Sequence, residues 1–289
     1  CYQNKSRRSY MSASSLVVDG VEVWVEGEGA HTVVMIHGWP DTHRLWNGQV
    51  AHLLAAFPGQ MRCVRFTLPG FDLSQPARPM GLQGLVDLFA RIVDTVSPGE
   101  PVTLMLHDWG CVFGYEYLAQ HPQRVARLVA VDIGDHNSGA LVRALTAKAK
   151  LGVFAYQAWL ALAWAVGRWL NGSLGDAMTR RMARLMRCPV PPHAMGWQMN
   201  YPYWVQWTRA LGGYHRAAAV APQCPTLYTY GKRKPFQFQS PRWLEKMQSG
   251  AGNQVQALSA GHWVMLDQPA AFNHIVTDWL SSQLTQGRP

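Results

Sequence analysis

The chain predicts an α/β fold: a doubly wound, mostly parallel sheet interrupted by a helical insertion. Short apolar runs of strand length alternate with helix-period segments as far as Val131. From Gly134 to about His215 that rhythm gives way to Trp- and Ala-rich, helix-like sequence without strands. Strand-like runs then resume at residues 225–230 and 255–258. With 289 residues, 48% of them apolar and 15% charged, the chain can bury one large core and carry an insertion.

Taken in order, residues 16–18 and 21–25 read as a hairpin across Asp19 and Gly20, a pair suited to a tight turn. Residues 32–36 form a buried strand, followed by a helix through Trp46, Val50, Leu53 and Leu54. A strand at 62–66, a helix at 82–96 and a strand at 101–106 come next, then a helix from Trp109 to Gln120 and a strand at 128–131. A last amphipathic helix covers 269–284. The expected organisation is a disordered leader over 1–15, a core domain over 16–134 and 216–289, and a lid over 135–215.

The formal charge is +9 and the isoelectric point near 9.5. Arg180, Arg181, Arg184 and Arg187 share one helical-looking segment, and Lys232, Arg233 and Lys234 form a second patch. No nucleic-acid-binding module accompanies them, so a solvated basic face is the expectation, with peripheral contact to an anionic membrane left open. The apolar stretch 151–170 contains Gln157 and Arg168 and lies between strands of one domain, which argues for lid helices over a membrane span. Five widely spaced cysteines without a CxxC pair fit reduced thiols in the cytoplasm, with no disulfide framework and no metal site. Thirteen tryptophans, many between 159 and 207, suggest an aromatic-lined cavity.

The chemistry centres on Asp108. A strand runs into His107–Asp108–Trp109–Gly110 and a helix follows at once, so the carboxylate sits on a tight strand-to-helix turn. Asp108 there either caps the helix or acts as a nucleophile. A nucleophilic carboxylate needs a base for water, an acid to orient that base, and donors for an oxyanion. His262, at Gly261–His262–Trp263 after the last strand, is the expected base. The loop 231–236 carries no carboxylate, so Asp132, ending the strand after the Asp108 helix, is the expected acid, with Asp135 as the alternative. The backbone amides of Trp39 and Trp109 are the expected oxyanion hole.

Together the segments HGWPD at 37–41, LPGFDLS at 68–74, HDWG at 107–110 and GHW at 261–263 resemble the epoxide hydrolase and haloalkane dehalogenase branch of the α/β-hydrolase superfamily. The resemblance runs from about residue 16 to 284 and implies the α/β-hydrolase fold with a lid. It implies a covalent ester on Asp108, hydrolysed by water that His262 activates, with no cofactor. In epoxide hydrolases lid tyrosines hold the ring oxygen. Here Tyr156 and Tyr203 are the expected pair, Tyr203 being favoured over Tyr201. A dehalogenase would use the indoles of Trp109 and Trp39 to hold a halide. A third reading is a non-catalytic ligand-binding protein on the same fold. An apolar substrate is expected in a pocket of His37, His107, Trp109, Tyr201 and Trp204.

Overall fold

The computed structural model describes residues 13–286. Strands β1 (Ala13–Val18) and β2 (Val21–Glu26) form a hairpin whose turn residues, Asp19 and Gly20, both have positive φ. There follow β3 (His31–Ile36), α1 (Asn47–Ala56), β4 (Met61–Phe66), α2 (Leu82–Val96), β5 (Val102–His107), α3 (Trp109–Gln120) and β6 (Val125–Val131). Helices α4 (Gly139–Ala144), α5 (Ala147–Trp169), α6 (Gly172–Leu185) and α7 (Tyr201–Thr208) separate β6 from β7 (Thr226–Gly231). The chain closes with α8 (Pro241–Ser249), β8 (Gln254–Leu258), α9 (Val264–Asp267) and α10 (Pro269–Gln286).

One sheet takes the order β1-β2-β4-β3-β5-β6-β7-β8, antiparallel across the first two pairings and parallel across the rest. Helices cover both faces, which is why the central strand β5 is buried along its whole length rather than alternating. Its Leu104 and Leu106 enter the core beneath α2 and α3, while Met105 points into the opposite core with residues of α1 and α10. Strand order reverses between β3 and β5, and that crevice at the carboxyl ends of the strands is where an open α/β sheet presents its ligand site.

One expectation needs correction. The expected leader lies outside the described residues as far as residue 12, but Ala13, Ser14 and Ser15 belong to β1 and pair with Glu26, Val25 and Trp24. The hairpin extends because β2 offers backbone partners along its full length. Residues 241–249, left unassigned by the sequence, form α8, with Ser240 capping the Trp243 amide and Pro241 in the first turn. Helix α5 is long and apolar enough to cross a bilayer by length and composition, with a mean hydropathy of 1.2. It packs against α6 and α7, and Leu160, Ala161, Ala163 and Trp164 are buried there.

Candidate active site

Asp108 has φ 52° and ψ −124°, a strained pair for a non-glycine residue, and its side chain makes no capping bond to α3. The turn instead lifts the carboxylate to the ends of β3 and β5. Oδ1 accepts the Trp39 amide at 2.6 Å. Close approach is what makes this possible. A Cβ on Gly38 would stand 2.3 Å from Asp108 Oδ1, and one on Gly110 would stand 2.4 Å from the Ile36 carbonyl oxygen. Burial pushes the Asp108 carboxyl up, but the bonds and charges of His262, His107 and the Trp109 amide outweigh it and hold the group below its ordinary range.

Behind the nucleophile position, His262 Nε2 lies 3.2 Å from Asp108 Oδ2 and its Nδ1 lies 2.5 Å from Asp132 Oδ2. Asp132 is fully buried, with φ 72°. Asp135 turns elsewhere, accepting the Ser240 amide and hydroxyl and the Ser138 hydroxyl, and so holds the start of α8. Burial opposes charge on His262, but hydrogen bonds to Asp108 and Asp132 raise it to about 9 from its ordinary 6.5. Charged His262 therefore stabilises the fold fully below pH 6.5, and that contribution is lost as pH rises through about 9. The thermal unfolding midpoint should fall across that window, and His262→Gln should flatten the fall. An unchanged slope in the variant would dissociate His262 from it.

The loop 231–236 contributes what the sequence did not reveal. Lys234 Nζ lies 2.6 Å from Asp132 Oδ1, which also accepts the Gly231 amide at 3.0 Å. Burial pushes Asp132 up and Lys234 down, but the Lys234 charge and the His262 bond hold Asp132 below its ordinary range. In place of a carboxylate, the loop supplies a cation that neutralises one. The signal was legible only as part of a basic patch, which reads equally well as solvated surface.

A cavity of about 690 Å³ opens on Asp108 and His262. Tyr156 and Tyr203 line it, with rings edge-to-face at 6.0 Å, and burial raises both phenols further above their ordinary 10. Leu185, Met186, Lys234, Phe236 and Phe238, none of them expected there, supply further wall. The expected pocket residues are elsewhere. Buried His37 accepts the Leu68 amide at 2.9 Å, and His107 lies 3.1 Å from the His262 carbonyl oxygen; desolvation lowers them to about 3 and about 4. Tyr201 packs edge-to-face on Phe71, and Trp204 stacks on Trp164 at 4.3 Å. The Trp109 ring is sandwiched between Phe113 and Tyr203 and leaves its amide as its contribution. These side chains fill space because the large aromatic rings are what the interior between lid and sheet buries best. The indole of Trp39 donates to Asn200 Oδ1 at 2.7 Å, and Asn200 in turn donates to Thr179, so this residue ties the sheet to the helical segment between β6 and β7.

The alpha/beta hydrolase family model matches residues 33–275. Over 121 residues the chain is 38% identical to the probable oxidoreductase EphD of Mycobacterium tuberculosis, covering 39% of this chain and 20% of that one. Over 113 residues it is 32% identical to a cis-3-alkyl-4-alkyloxetan-2-one decarboxylase of Shewanella oneidensis, covering 38% and 34% respectively. It thus spans 20% and 34% of those relatives' own lengths. The structure of a putative epoxide hydrolase from Pseudomonas aeruginosa matches over 97% of this chain and 99% of that one, with a TM-score of 0.65 at 20% identity. A sheet with this order, a strained carboxylate elbow and a matching family model over most of the length make one assignment: the chain belongs to the alpha/beta hydrolase family.

Proposed function

We propose that the chain is an epoxide hydrolase that converts apolar epoxides to vicinal diols. The observation carrying this reading is the placement of two phenols, half-buried Tyr156 and buried Tyr203, on the wall of the cavity that holds Asp108. With Oδ1 committed to the Trp39 amide, Asp108 Oδ2 is the oxygen left to attack a ring carbon. The C–O bond of the ring breaks as the ester forms, and the tyrosines donate to the developing alkoxide, for which a phenol is a suitable acid.

Hydrolysis follows from the same geometry. Esterification removes the Asp108 charge, one of the two that hold His262 protonated, so the imidazole becomes a base at lower pH. The His262 proton passes to the tyrosinate left by ring opening, and neutral His262 then takes a proton from water, whose oxygen adds to the ester carbonyl. That carbonyl oxygen already accepts the Trp39 amide, and the neighbouring Trp109 amide is the second donor offered to its negative charge. Collapse breaks the ester C–O bond, the departing oxygen takes the proton of the new Asp108 carboxyl, and the diol leaves with Asp108 again a carboxylate and His262 protonated.

The halide reading loses a donor, since the Trp39 indole is already given to Asn200. The likeness to an oxetanone decarboxylase keeps a strained cyclic ester as the rival substrate. Tyr156→Phe with Tyr203→Phe should slow diol formation from a terminal aryl or alkyl epoxide by roughly a hundredfold or more. Diol formation at the unaltered rate, or release of CO2 from a 3,4-dialkyl-oxetan-2-one without any diol from epoxides, would reject the epoxide reading.

A further inference from the structure

The lid carries most of the formal charge of the protein. Residues 135–215 hold nine of the 26 basic residues and two of the 17 acidic ones, Asp135 and Asp176, a balance of +7. The remaining seventeen basic and fifteen acidic residues leave +2. Asp176 is itself paired with Arg180. The same segment holds ten of the twelve large apolar residues exposed among the described residues, leaving only Val17 and Leu266 outside it.

These two features meet on α5. Its buried residues face α6 and α7, and at 3.6 residues per turn the opposite face presents Leu151, Phe154, Leu162 and Trp169, 66%, 51%, 54% and 58% exposed. Lys148 flanks this stripe on one side, Lys150 and Arg168 on the other. Phe154 meets Trp207 of α7 edge-to-face, extending the apolar surface, and the outer face of neighbouring α6 alternates Leu174 and Leu185 with exposed Arg181 and Arg184. An apolar stripe with a cationic border and no acid on its helix is what lies in the plane of a bilayer interface. Self-association on this face would bring two surfaces of like charge together, which disfavours a second copy as occupant.

We propose that this lid face docks on an anionic lipid bilayer, with the α5 stripe entering the headgroup boundary and the lid's arginines and lysines facing lipid phosphates. Leu185 lies on the outer face of α6 and also on the wall of the catalytic cavity, so the docked face reaches the mouth through which an apolar molecule would enter. The proposal rests on the lid surface and not on the chemistry at Asp108.

Flotation of the full chain with vesicles of phosphatidylcholine and phosphatidylglycerol in equal parts tests it. The chain should float with these vesicles and about tenfold less with phosphatidylcholine alone or in high salt. Leu151→Ser with Leu162→Ser, and separately Arg181→Glu with Arg184→Glu, should each reduce the bound fraction about tenfold, with melting temperature and turnover of a soluble substrate unchanged. Absence of flotation, equal binding to both vesicles, or full retention by the Leu double variant would overturn the proposal. So would a concentration-dependent dimer that the Leu double variant dissociates, which assigns the face to a second copy. Binding to duplex DNA without binding to vesicles would overturn it in favour of nucleic acid.

Discussion

Asp108→Asn should lower epoxide turnover by roughly 10⁴-fold or more while the protein stays folded. The amide oxygen can still accept the Trp39 N–H, so the elbow keeps its anchor. The position of Oδ2, facing His262 at 3.2 Å, becomes an NH2 group with no nucleophilic lone pair. The companion variant His262→Gln separates the two half-reactions. It should alkylate once and stop, since ester hydrolysis has lost its base, and intact-protein mass should rise by one substrate. The Asp108→Asn protein should show no such mass. Undiminished turnover by Asp108→Asn, with no adduct on the His262 variant, would remove the covalent mechanism altogether.

Lys234→Met is the second large effect. It deletes one partner of a buried ion pair and leaves Asp132, wholly inaccessible to water, without its cation. Breaking such a pair typically costs about 3 kcal/mol. A loss of this size should appear as a lower denaturation midpoint in urea at unchanged slope. The variant should also mark the pH profile. With Lys234 gone, the Asp132 charge acts undivided on His262 and raises its pKa further, so ester hydrolysis should turn on at higher pH than in the parent. A purely space-filling lysine would leave the profile in place, and a stability loss without that displacement would assign Lys234 to the fold alone.

Much of this arrangement could be read along the chain because its causes are local. The strand-to-helix turn at 107–110 is written by an apolar run meeting a helix-period segment with Gly110 at the crossing, where a side chain would collide with the Ile36 carbonyl. The tight turn at Asp19 and Gly20 is likewise a property of two neighbours. Asp132 and Asp135 are harder, being the same residue type and three residues apart. What separates them is the positive φ at Asp132, which aims its carboxylate across the strand ends at His262, while Asp135 has passed beyond the sheet to Ser240.

The aromatic residues mark the boundary most clearly. Tyr201 and Tyr203 are both buried and sit two residues apart, yet only Tyr203 reaches the cavity wall, because on α7 a separation of two residues rotates the side chain to another side of the helix. His37 and His107, adjacent to the site in sequence, turn inward and are kept neutral by desolvation. By itself, then, the sequence determined the alternation of strands and helices, the carboxylate elbow, and the concentration of charge in the helical segment. These follow from periodicity and steric demands spanning a few residues. Only the tertiary structure decided that Lys234 meets Asp132, that the Trp39 indole is spent on Asn200, and that Phe236 and Phe238 wall the cavity. Each of those contacts joins segments remote in sequence, and a charge or ring acquires its role from the partner that burial brings to it.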